Sequence, residues 1–234
     1  MSDSWRWGLL VGLGLGAGLC GCEPPAENLQ QGELGNGTFE YLCEAPSDAQ
    51  CDEGEQHSAA AFASLVRGGV FGMGFLDKNG NDANASMEAA GQDRVTYDAA
   101  LDRWTAEKAG IVALVAFVNG SAADFIHATV VEPSGVLISQ KDLSGHFTGS
   151  FGGVTIDVTL QSDFILRVAP ADAQQNVLAG GLGCQWTSDN EAVARITSDS
   201  TDNVITVHPV AAGSATLQVQ LGSVSGQTTI TVGG

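Results

Sequence analysis

The stretch from Asp77 to Glu88 reads DKNGNDANASME and sets oxygen-bearing side chains at the spacing of a cation loop. Asp77, Asn79 and Asn81 alternate, and Glu88 falls where a calcium loop places its bidentate carboxylate. Asp82, however, stands where such a loop wants glycine for its sharp turn. The preceding run Val70–Leu76 reads as a strand, not as an entering helix. An Asn-Gly turn between two strands accounts for the same residues without an ion and is the preferred reading. Asp77, Asn79, Asn81 and Glu88 are therefore weak calcium candidates, and Asp199 to Asp202 is a weaker version of the pattern.

Nucleophilic chemistry finds less support. His57, His127, His146 and His208 are scattered singly, and His127 has the flanks of a strand-face residue. Asp142, Ser144 and His146 share one loop, but no Gly-x-Ser-x-Gly elbow presents a serine anywhere in the chain. With 27 Asp+Glu, chance carboxylate pairs are inevitable and argue nothing about glycoside chemistry. The Gly-Gly pairs at Gly68, Gly152 and Gly180 lack the lysine or the strand-to-helix context of a phosphate loop, so no cofactor is expected. Trp104 could stack on a sugar, yet its place just before an Ala-Gly turn favours a packed role. The expectation is no catalytic residue and no enzyme.

Charge narrows the partners. Nine Lys+Arg against 27 Asp+Glu leave a formal charge of −18 on 234 residues. Such a surface repels phosphate backbones, which excludes nucleic acid, and disfavours direct adhesion to anionic headgroups. At 44% the hydrophobic share is that of a globular chain.

These residues need elements to hold them, and the elements begin after an address. Gly8 to Leu19 reads GLLVGLGLGAGL, shorter than the roughly 20 apolar residues of a membrane span and suited to a signal-peptide core. Leu19-Cys20-Gly21-Cys22 then resembles the lipobox of bacterial lipoproteins. The resemblance implies cleavage before Cys22 and lipid on that cysteine, hence a membrane partner through covalent lipid. Glu23, not Asp, follows, which points to the outer membrane of the envelope. Residues 1–21 are thus expected as signal peptide. Residues 22–40, rich in Pro, Gly, Gln and Asn, are expected as a flexible tether.

Cys43 and Cys51 lie in a segment full of turn residues, and an envelope location permits a disulfide between them. A metal site is the alternative, a poor one with no histidine nearer than His57. Residues 41–56 are read as a disulfide-closed segment, worth roughly 2–3 kcal/mol in the chain-entropy model. Cys184, between Leu182 and Trp186, reads as a buried inert thiol.

Beyond His57, short apolar or alternating runs are broken by Gly, Asn, Asp and Pro. Val70–Leu76, Ile111–Val118, Phe125–Val131, Val154–Leu160, Phe164–Val168, Val204–Val207, Ala215–Leu221 and Thr228–Val232 are the clearest. Their Val, Ile, Thr and Phe content predicts an all-β fold of sandwiches. Ala109-Gly110-Ile111-Val112-Ala113-Leu114 also matches Ala212-Gly213-Ser214-Ala215-Thr216-Leu217. The two glycines stand about 100 residues apart, one immunoglobulin-sized unit.

The second half resembles the bacterial immunoglobulin-like domain, group 2, repeated in intimin- and invasin-type surface proteins. Four stretches carry the likeness: Val168 to Ala173, Trp186 to Asn190 leading to Val193-Ala194, Ala211 to Leu217, and Ile230-Thr231-Val232. Asp202-Asn203 depart from the glycine usual before the next strand. The resemblance implies a core tryptophan at Trp186, a turn glycine at Gly213, its counterpart at Gly110, and a scaffold without catalytic residues. The expected organisation is tandem immunoglobulin-like β-sandwiches, a diverged one over 57–134 and a group 2 one over 135–234. The expected function is a membrane-anchored, non-enzymatic binding or structural module for adhesion or presentation, with a protein or polysaccharide partner on the cell envelope. A carbohydrate-binding module is the alternative, and a hydrolase ranks below it.

Overall fold

The computed structural model describes residues 29–43, 47–48, 50–51, 64–91, 93–141, 147–151, 155–160 and 162–233. The signal peptide, Cys22, and the loop residues Asp142, Ser144 and His146 lie outside them, as does His57.

Period-two alternation writes the strands. In GSATLQVQL, residues 213–221, Ala215, Leu217, Val219 and Leu221 are buried while Gln218 and Gln220 are exposed. The first unit is built from β1 (Leu29–Gln31), β2 (Gly37–Leu42), β3 (Leu65–Val66), β4 (Val70–Asp77), β5 (Ser86–Ala90), β6 (Val95–Asp98), β7 (Arg103–Ala106), β8 (Gly110–Val118) and β9 (Ser121–Val131). They form a five-stranded sheet, β1-β2-β4-β7-β6, and a four-stranded sheet, β3-β9-β8-β5. The second unit continues with β10 (Gly135–Lys141), β11 (Phe147–Phe151), β12 (Thr155–Thr159), β13 (Phe164–Ala171), β14 (Cys184–Ser188), β15 (Ala194–Ile196), β16 (Val204–Pro209), β17 (Gly213–Leu221) and β18 (Val224–Gly233). Its sheets run β11-β10-β13-β16-β15 and β12-β18-β17-β14.

From the crossing strand onward the two units repeat one topology, while their first two strands exchange places at the sheet edge, β2 lying beside β4 but β10 beside β13. In each, a short strand crosses to pair in parallel with the closing strand: β3 with β9, and β12 with β18. The closing hairpins β8–β9 and β17–β18 match, as do the triplets β4-β7-β6 and β13-β16-β15. The chain is therefore all-β, two sandwiches in tandem.

Each sandwich closes on its own core. Phe39, Tyr41, Phe71, Leu114 and Ile126 are fully buried in the first. There Phe39 meets Phe75 edge-on at 5.1 Å and Tyr41 stacks on Phe71 at 6.0 Å. Trp186, Leu166, Ile205, Leu217 and Ile230 fill the second. Each such side chain contributes about 1.5–3 kcal/mol by leaving water.

Three boundaries drawn from sequence move. The expected tether over 22–40 is strand from Leu29 onward, because β1 and β2 join the first sheet. Polar Gln, Asn and Gly masked the alternation of Phe39 and Tyr41 with Thr38 and Glu40. Asp124, buried on β9, accepts from the amides of Leu34 at 2.8 Å and Asn36 at 2.7 Å and so docks the β1–β2 turn. The 41–56 segment is likewise not separate, since Cys43 and Cys51 pack against the first core.

The division at 134 and 135 is crossed by both cores. Val66 of the first unit lies fully buried in the second core, and Ala179 of the second lies in the first. The Val66 amide donates to the Ala179 carbonyl at 2.8 Å, and Val70 and Gly181 exchange bonds at 2.9 and 2.8 Å.

Candidate functional site

The Asp77 loop is a side-chain-stapled turn. The Asp77 carboxylate accepts from the Asn79 amide at 2.8 Å and the Asn81 amide at 3.0 Å, while the Asp77 amide donates to the Asn81 carbonyl at 2.8 Å. These donors hold the exposed carboxyl below the usual carboxylate range, the Asn81 amide most of all. Glu88 does not join them. It lies exposed on β5, opposite Val115 of β8 in the other sheet. No group of three or more His, Cys, Asp or Glu positioned for a metal occurs among the described residues. Asp199 forms a similar small turn, accepting from the amide and hydroxyl of Thr201 at 2.9 and 2.7 Å.

The disulfide loop carries a centre that spacing did not reveal. Cys43 and Cys51 are joined. Between them Asp48 is fully buried and accepts a hydrogen bond from the Tyr41 phenol. It also accepts the Gln50 amide at 3.0 Å and the Gly180 amide at 3.1 Å. Burial raises the Asp48 carboxyl above its usual range, opposed by these donors, with Tyr41 first. Burial, and then the Asp48 charge, push the Tyr41 phenol well up. Nothing in the sequence separates Asp48 from the chain's other acids. Its burial follows from a partner, Gly180, far along the chain.

Gly110 and Gly213 open β8 and β17 at equivalent places, with φ of 128° and 147°. Only glycine adopts this backbone without strain. Gly110 pairs with Val130 and Gly213 with Val232, so each starts its unit's closing hairpin. A Cβ on Gly110 would meet the Arg94 guanidinium, and one on Gly213 would sit 3.1 Å from Val193.

Trp186 is 1% exposed at the middle of β14. Cys184, on the same face of that strand, is a free buried thiol pushed up to about 12, by burial first and then by the Asp202 charge. It is unreactive at neutral pH. Trp104 is 4% exposed and packs against Tyr97, with ring centroids 4.9 Å apart. Its buried face is unavailable as a sugar platform, and Tyr97, 46% exposed, forms that surface instead. His127 and His208 each hold a ring nitrogen 2.6 Å from a carboxylate oxygen at the surface, of Glu33 and Asp163 respectively.

No protein-family model matches the chain, and no curated protein sequence matches it. Among solved structures it is similar to domains 4 and 5 of the S-layer protein SbsC, at 18% identity and a TM-score of 0.32, covering 74% of this chain and 94% of that one. The Escherichia coli adhesin FdeC is 16% identical, with 73% and 61% covered and a TM-score of 0.31. The Yersinia pseudotuberculosis adhesin InvE is 13% identical, with 74% and 57% covered and a TM-score of 0.32. At such TM-scores the likeness carries no argument about activity, location or partner.

Proposed function

We propose that this chain is the body of a bacterial envelope lipoprotein, anchored through lipid on Cys22 in the outer membrane. Its two immunoglobulin-like sandwiches act there as a non-enzymatic structural or adhesion module. The observation that carries the reading is the exchange of Val66 and Ala179 between the two cores. A junction with main-chain bonds in both directions fixes one sandwich on the other. That suits a part whose task is to hold a surface at a set place and orientation. The lipobox-like Leu19-Cys20-Gly21-Cys22 supplies the attachment, and several acyl chains give lasting anchorage where one is marginal.

The test is the intact mass and detergent partitioning of the protein purified from its own host. A chain beginning at Cys22, carrying acyl groups and entering the detergent phase, is expected. A water-soluble chain cut elsewhere overturns the anchored reading.

A further inference from the structure

One sheet face of the second sandwich stands apart from the rest of this acidic chain. β14, β17 and β18 pair so that outward residues form two rows across three strands. Gln185 lies opposite Gln220, itself opposite Ser225. Thr187 lies opposite Gln218, itself opposite Gln227. All six are exposed, and they line an open depression of about 550 Å³. Strand geometry sets neighbours within a row ~4.8 Å apart and the rows about 7 Å apart. No ionisable side chain falls in either row, on a chain of net charge −18. The acids border the rows without entering them: Asp189, whose carboxylate accepts the Thr216 amide at 2.7 Å, stands two residues beyond Thr187, and Asp199 and Asp202 flank the Ser200 that Gln185 touches.

We propose that this face binds a neutral polysaccharide. A sugar hydroxyl both donates and accepts, and a primary amide offers two donors and an acceptor in one plane, so the two groups are mutual partners. Among the described residues, Gln218, Gln227, Thr187 and Ser225 form no side-chain hydrogen bond that would compete. Gln185 and Gln220 have theirs partly spent, and so are held in place: Gln185 donates to the Ser200 hydroxyl at 3.0 Å and Gln220 to the Gly222 carbonyl at 2.9 Å. Charge selects among occupants. An anionic polymer meets the field of the whole acidic chain, as does a second copy of the protein, whereas a neutral glycan does not. A second copy would also want an apolar centre, which these rows lack. The inference deepens the adhesion reading by naming the ligand class. It does not depend on the anchor, so detergent partitioning and glycan retention fail separately.

The experiment uses the full chain in detergent on an array of immobilised neutral and anionic glycans. Retention by neutral glycans is expected, falling at least tenfold in Gln218→Ala/Gln227→Ala with an unchanged melting temperature, and persisting in Tyr97→Ala. Retention by no neutral glycan overturns the proposal. So does equal retention by anionic glycans, or a loss confined to Tyr97→Ala, which would move the site to the first sandwich. Self-association that the double substitution abolishes, without glycan retention, overturns it too and assigns the face to a second copy.

Discussion

Tyr41 donates a hydrogen bond to Asp48, and the carboxylate oxygen that receives it also accepts the amide of Gly180 at 3.1 Å. Three separate stretches of chain meet at that one oxygen. β2 brings the phenol, the disulfide loop brings the carboxylate, and the segment after β13 brings the amide.

The carboxyl of Asp48 is raised by burial. A native carboxyl that holds its proton more tightly than the unfolded one adds stability as pH falls through its raised native pKa toward the usual range near 3.9. That stability is lost as pH rises through the same window. The stability advantage of the wild type over Asp48→Asn, which cannot titrate there, should grow between pH 7 and pH 4. Denaturant titrations at both values measure it, and an advantage that shrinks on acidification would contradict the placement of Asp48.

Trp186→Ala should cost about 3–5 kcal/mol, the cost of emptying a large aromatic site in a packed core. Guanidinium unfolding reads this directly. An unchanged midpoint would remove Trp186 from the centre of the second sandwich.

Gly110→Ala and Gly213→Ala should each lower stability by about 1–3 kcal/mol, since alanine is strained at the φ both sites adopt. The two sites lie in different sandwiches and share no partner, so the double substitution should be additive. Thermal melts of the two singles and the double provide the check.

Removing the disulfide with Cys43→Ala/Cys51→Ala should cost roughly 2–3 kcal/mol. Amide exchange at Gly180 should also quicken, because its acceptor Asp48 sits on the freed loop. If exchange at Gly180 stays slow, the loop holds its shape without the bond.

Gly180→Val tests the junction. A Cβ at this position would lie 3.1 Å from the Gly69 Cα, so one backbone must give by a few tenths of an ångström, and the φ of 108° strains any side chain there. The wild type should unfold in one calorimetric transition, and the variant in two, as each sandwich melts on its own. A single transition in both would show that the interlock is not what couples them.

Much of this architecture was legible from residue order, for reasons particular segments show. Ile111 to Val118 and Ala215 to Leu221 announce strands because half-buried faces impose alternation. The Ala-Gly openings before them mark a backbone conformation that few other residues tolerate. β2 was lost among polar neighbours, although Phe39 and Tyr41 anchor the first core. β6 and β7 were lost because strands of four residues carry too few periods to stand out. The junction left no local trace at all. Val66 and Ala179 are ordinary small apolar residues whose places are decided by chain over a hundred positions away. The charge-free rows have no signature in residue order because each Gln looks, by itself, like any solvated strand residue.

The exchange of Val66 and Ala179 also sets an order of completion for a chain that emerges from its amino end. When β9 has appeared, the first sandwich has all its strands. It still lacks Ala179 in its core and the Gly180 amide at Asp48. Domains generally close as they emerge, but this one must wait, its buried acid short of a partner, until the segment after β13 arrives. The first sandwich is thereby kept from locking before the second has begun to form.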